Sequence, residues 1–302
     1  MLGTLTDAVE DYLLLWVVLA AAVGLAVPSL AVVTRWSTPI LAVMIGSVSL
    51  TLSIAEFRRV DARSLGVVLA GHATMPFLAA GIARVLGLSP ELTVGFVVLG
   101  SVTPELVTPV VTELAGGETA LSTTALIVIG GGSVAFVPAV VAALVGRIDV
   151  PTRPIVEQLV VAVVVPMAVA VGARAWKPDR VAAYDDYYAA MSALMVVLIL
   201  AGVTAANAGV VRSNLAVLAT VAAGAVALNA LGYGVGYVLG RWETRPARIA
   251  STLSVGMRDF AVAAALVVAA GLPTTAALPA VVFGVVEMTT STGLATWFGR
   301  ED

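Results

Sequence analysis

Polar and charged residues in this chain fall in short clusters, and the stretches between them are apolar and nearly free of charge. Read as runs of about twenty residues, the length that spans a ~30 Å hydrocarbon core as a helix, the pattern predicts ten spans. They lie at 12–33, 37–55, 65–86, 92–114, 119–146, 154–174, 189–209, 213–240, 247–270 and 275–298. The runs are too long for barrel strands and lack period-two alternation, which argues against an outer-membrane barrel. The expected fold class is an all-α membrane protein with ten transmembrane helices. Asp7, Glu10 and Asp11 precede the first run, so Tyr12 onward is expected to be a retained span rather than a cleaved signal.

The pattern fails in three places. In span nine Arg258 and Asp259 interrupt an otherwise apolar run. Arg258 lies ten residues beyond Arg248, roughly 15 Å deep at helical rise. Charge at that depth costs several kcal/mol and usually marks function. Span four carries Gly100-Ser-Val-Thr-Pro104-Glu105-Leu-Val-Thr108-Pro109-Val-Val-Thr112. Two prolines five apart, with Thr103 and Thr108, break the helical ladder around Glu105. Freed backbone groups at depth need protein or a wet cavity to satisfy them. Span ten carries Glu287 about eleven residues from either end, with Thr290 in the next turn.

Composition agrees with the spans. The 302 residues are 60% hydrophobic and 12% charged, against about 25% charged in soluble domains. There is no cysteine, so thiolate metal sites, disulfides and thiol nucleophiles are excluded. A single histidine, His72, argues against a zinc centre. No phosphate-binding loop, nucleophile elbow or HExxH motif occurs, and there is no basic face for nucleic acid; an enzyme is not expected. Arginine and lysine in the loops divide ten to five in favour of cytoplasmic N- and C-termini in the inner membrane. The charged turn Glu56–Arg63 reads as part of that orientation signal.

The halves resemble each other. Span three and span eight are both small-residue helices ending in Gly, Arg and a Pro turn, and each leads into an interrupted span. Five spans per half is odd, so the second copy must be inverted, the plan of secondary transporters with broken helices crossing near the midplane. Residues 1–174 form the first repeat and 175–188 a cytoplasmic linker. Residues 189–302 hold the remaining helices of the second repeat, which begins near 154. Crossing breaks would bring Glu105 near Arg258 and Asp259. Three acids, Glu105, Asp259 and Glu287, then face one Arg258, so a carboxyl could carry a proton; charge compensation that only fixes packing is the plainer alternative. Removing Arg258 is expected to leave an acid unpaired. His72 and Asn229 are candidates for the same site, though interhelical hydrogen bonding explains each as simply.

The ordered set Leu50–Val60, the Pro104 break followed by Glu113-Leu-Ala-Gly-Gly-Glu118-Thr-Ala-Leu-Ser122, Ser254-Val-Gly-Met-Arg258, and Phe283 through Leu294-Ala-Thr-Trp297 resembles the bile acid:sodium symporter family over nearly the whole chain. The resemblance implies interleaved panel and core domains and alternating-access transport of a small organic anion. It also implies two sodium ions held at the broken helices. At the matching positions the family's Ser-Asn pair falls on Thr108 and Pro109, its ion-binding Glu on Ser254 and its Gln on Arg258. The polar residue of span three falls near Gly71. Hydroxyls of Thr108 and Ser254 and carbonyls of Val255 and Met257 remain as oxygen ligands, but the carboxylate is gone, which argues against simple sodium coupling. Instead, the Arg258 guanidinium is expected to stand where an ion would sit. A cation/proton antiporter using Asp259 or Glu287, and a non-transporting membrane sensor or scaffold, are the rival readings. Apart from lipid and the anion, no partner or cofactor beyond sodium or a proton is indicated.

Overall fold

A computed structural model describes residues 13–52, 60–145 and 152–300. The acidic N-terminal residues, the first half of the 56–63 turn and Arg147 lie outside the described residues. Within them the chain is helical with no strand. Its helices in order are α1 (Leu13–Ala26), α2 (Ser37–Ser49), α3 (Ala62–Val85), α4 (Pro90–Ser101), α5 (Thr108–Leu114), α6 (Thr119–Val145), α7 (Thr152–Leu159), α8 (Val165–Trp176), α9 (Pro178–Ala182), α10 (Asp185–Ala206), α11 (Ala208–Ser213), α12 (Leu215–Leu239), α13 (Arg245–Gly256), α14 (Phe260–Ala269) and α15 (Leu278–Gly299).

Among the described residues eight stretches are long and apolar enough to cross a membrane: Pro28–Ser49, Ala62–Val85, Thr119–Val145, Arg153–Trp176, Asp185–Ala206, Leu215–Trp242, Arg245–Ala269 and Thr274–Gly299. Two shorter apolar helices, Leu15–Ala26 and Pro90–Ser101, fall where the first and fourth runs were expected. The first run is shorter than the sequence pattern suggests. Its α-helix stops at Ala26 and a 3-10 segment, Pro28–Trp36, leads straight into α2. Pro28 explains the stop, because it cannot donate the next helical hydrogen bond. Pro166 sits just after a π turn at Val160–Val164, which joins α7 to α8 without ending the span.

Both predicted interruptions are real. α4 and α5 are separated by a non-helical stretch around Pro104, and α13 and α14 by Met257–Asp259. The α13–α14 span is the centre of the molecule: 89% of its most apolar window is buried, against 33–56% in the other spans. α3, α5, α6 and α12 pack around α13, while α4 and α15 pack on α14. On another flank, α10 lies along α1, the 3-10 segment and α2.

Close packing of α12 on α13 rests on glycine. A Cβ at Gly236 would lie 2.4 Å from the Ser251 carbonyl oxygen and 2.7 Å from Thr252 Cα. Both are backbone atoms that cannot swing aside, whereas a Cβ at Gly234 meets nothing within 4 Å. Gly236→Ala is therefore expected to cost about 1–3 kcal/mol, and Gly234→Ala to gain about 0.5–1 kcal/mol through helix propensity. Thermal unfolding of the purified variants measures both; equal effects would contradict this packing.

Candidate functional site

A helix broken in mid-membrane leaves its last carbonyls and its first amides without intrahelical partners. Pro104 lacks an N–H and blocks continuation of α4, so the carbonyls of Val102 and Thr103 project free of the helix. The second break is fixed from outside. The Tyr233 ring packs on Gly256 so closely that a Cβ there would lie 2.0 Å from Cδ1. Asn229 Nδ2 donates to the Gly256 carbonyl at 3.3 Å, and Thr290 Oγ1 donates to Asn229 Oδ1 at 2.7 Å. Asn229 and Thr290 thus hold the broken backbone in place.

The two breaks meet. The Asp259 amide donates to the Thr103 carbonyl at 3.0 Å. Arg258, fully buried, fills the space beside them. A guanidinium has five N–H donors and no acceptor. Here Nε donates to the Val255 carbonyl at 3.2 Å, and Nη2 to the carbonyls of Ser254 at 3.0 Å and Val255 at 2.7 Å. Nη1 donates to the Val102 carbonyl at 3.1 Å and to His72 Nδ1. All five donors are used, four of them on carbonyls freed by the two breaks.

The acids take the opposite ends of the backbone. Glu287 Oε2 accepts the Arg258 amide at 2.8 Å. Asp259 Oδ1 accepts the Val262 amide at 2.7 Å and caps α14. The Glu105 carboxyl lies against the amides of Leu106 and Phe260. Charge is therefore sorted by backbone polarity: the cation sits on the carbonyl end of α13 and three carboxyls on or beside the amide end of α14, as the helix dipole favours.

This arrangement corrects one expectation. Glu105, Arg258, Asp259 and Glu287 are brought together, but the Arg258 side chain forms no direct ion pair with any of the acids. The ion pairs found among the described residues, such as Arg63–Glu243 and Arg174–Asp185, lie elsewhere. Removing Arg258 would strand carbonyls at the break as well as take away the charge that attracts Glu287. Orphaned backbone groups are closer and more numerous at the break than opposing side chains, so they win. Each carboxyl keeps one oxygen without a hydrogen-bond partner: Glu105 Oε2, Asp259 Oδ2 and Glu287 Oε1. So do the hydroxyls of Thr103 and Ser254. Thr108 Oγ1 reaches Met257 Sδ at 3.8 Å, a weak contact. Thr112 is not part of the cluster; it packs at Gly117 beside Ile249, well before the break in α13. The carbonyls of Val255 and Ser254 are engaged by Arg258, so these two are not open to a second cation.

Sequence reasoning missed Val102, Tyr233 and Phe136. Val102 acts through its carbonyl, which carries no side-chain signal, and Tyr233 and Phe136 look like ordinary apolar positions until Gly256 and His72 are seen beside them.

The sequence model of the Sodium Bile acid symporter family matches residues 38–214, more than half the chain. The chain belongs to that family. Over 299 residues it is also 25% identical to a Bacillus subtilis (strain 168) protein described as an uncharacterized sodium-dependent transporter, YocS, covering 95% of this chain and 90% of that one. The symporter-family match contains the first break and ends before the second, so Arg258 lies beyond it.

The capping role of Asp259 has a stability consequence. Asp259→Ala is expected to cost about 1–2 kcal/mol, and Asp259→Asn, which keeps an acceptor for Val262, less than half of that. Thermal melts of the two variants decide it, and equal losses would contradict the cap.

Proposed function

We propose that this chain is a secondary transporter that moves a small organic anion across the membrane by alternating access. It is read as ten spans in two inverted repeats, the first over 1–174 and the second beginning near 154, with the 175–188 linker and both termini cytoplasmic in the inner membrane. In this reading α1, α2, α8 and α10 belong to a panel, and the broken helices with α3, α6, α12 and α15 to a core. One observation carries the reading: two interrupted spans satisfy each other's backbone through Asp259 and Thr103. Irregular backbone at depth is tolerated where it builds a binding site, and half-helix ends supply the partial charges that ions and acid groups use. Membership of a family of transporters, with no catalytic set among the motifs, agrees with transport rather than catalysis.

Arg258 sets the charge of this site. It donates to the carbonyls that a hard cation would use, so it acts as a cation that never leaves, and it gives the crossing positive potential for an acid group on the solute. The coupling ion is accordingly not sodium at the span-nine position. Glu105, Asp259 and Glu287, each with an oxygen in reserve, are the candidates to carry a coupling proton. Sodium dependence is the second reading. It is favoured by the printed description of the Bacillus relative and by the unpartnered hydroxyls of Thr103 and Ser254 near those carboxyls.

Uptake of radiolabelled pyruvate and taurocholate into proteoliposomes, with sodium replaced by choline, separates the two. Uptake of the transported anion is expected to change by less than about twofold, since the ~1.4 kcal/mol behind each tenfold preference for sodium is absent. Loss of uptake in choline would establish the second reading instead.

A further inference from the structure

Arg258 has no N–H left to offer a solute, because each of its five is spent on the protein. An anion can reach the guanidinium directly only by stripping a carbonyl of its partner at the break. The positive charge must therefore be presented through something else, and the structure supplies it. His72 accepts from Arg258 Nη1 through Nδ1. Since a guanidinium can only donate, Nδ1 carries no proton, the ring is neutral, and its single hydrogen is on Nε2. That Nε2–H is buried and has no acceptor. The residue is 5% exposed, so water does not freely solvate the group. A buried donor without a partner is uncommon and points to an absent acceptor.

The surroundings fit such an acceptor. The ring lies against Phe136 of α6 with centroids 5.0 Å apart. Gly132, one turn earlier on α6, is exposed, so the helix face that carries Phe136 reaches the surface within one turn of the ring. The charge of Arg258 is capped by neutral dipoles, and Glu287, which attracts it, is bonded to its backbone amide rather than to its guanidinium. That charge draws electron density through the imidazole and strengthens Nε2–H as a donor. Charge-assisted bonds of this kind favour a carboxylate or sulfonate oxygen.

We propose that His72 hydrogen-bonds the acid group of the transported anion through Nε2–H, with Arg258 acting from behind the ring as a positioning and polarising residue. The proposal rests on the organic-anion reading and adds the residue that recognises the anion.

His72 is the only histidine in the chain, so nitrogen-15 histidine labelling of the full-length protein in lipid nanodiscs gives one ring to observe. The expected spectrum is a neutral ring with the proton on Nε2, whose proton signal moves to lower field when pyruvate or taurocholate, whichever is transported, is added. In uptake assays His72→Asn, which keeps an acceptor for Arg258 but loses the far donor, is expected to raise KM about tenfold with little change in maximal rate. His72→Gln, whose amide can present an acceptor and a donor at its two ends, is expected to recover part of that loss. A proton on Nδ1, or uptake of either anion that is indifferent to His72→Asn, would overturn this proposal alone. Failure of both anions to bind or be taken up, with the Nε2–H ring intact, would overturn the organic-anion reading and this proposal with it.

Discussion

The structure depends on one requirement: a helix interrupted in the middle of a bilayer has backbone groups that water cannot satisfy. Each unsatisfied group there costs several kcal/mol. This chain meets the requirement twice over by letting two breaks serve each other and by sorting its buried charges onto the exposed ends. Arg258 terminates the carbonyl end of α13, and Asp259, Glu105 and Glu287 gather the amides that open α14. The charges that looked anomalous in the sequence are the groups that allow the break to exist.

The same arrangement explains why the site is polarised yet rigid. Tyr233 on Gly256, Asn229 on the Gly256 carbonyl and Thr290 on Asn229 fix the second break from the side of α12 and α15. The reserve of chemistry lies in atoms that the backbone does not use: one oxygen on each of three carboxyls, the hydroxyls of Thr103 and Ser254, and the outer nitrogen of His72. A site whose ligands are tied to two half-helices changes when those half-helices move.

Much of the fold was legible in the sequence, for physical reasons. Hydrocarbon thickness sets span length, so the helices were placed within a few residues, and Pro104, Pro109 and Gly256 marked the interruptions because their backbone chemistry cannot be disguised. The exception, the early stop at Ala26, came from Pro28 lying inside an unbroken apolar run. The cluster of Glu105, Arg258, Asp259 and Glu287 was legible because burying charge is expensive wherever it occurs. Its internal pairing was not. Val102 and Thr103 act through main-chain carbonyls that any residue could supply, so opposite charges were matched on paper where the molecule matches charges to peptide groups. His72 was visible as a candidate, but its link to Arg258, 186 residues away in sequence, exists only in the folded chain.

The central claim is that Arg258 is a built-in cation at the crossing. It is tested most directly by the stabilisation that sodium gives to the purified protein and to Arg258→Gln, each titrated with sodium chloride against choline chloride at matched ionic strength. A ligand that binds only the folded state raises stability with the logarithm of its concentration. The account predicts no sodium-specific rise in melting temperature for the unaltered protein and a clear one for the variant, whose carbonyls at Val102, Ser254 and Val255 are then open to the ion. Sodium-specific stabilisation of the unaltered protein equal to that of the variant would contradict it.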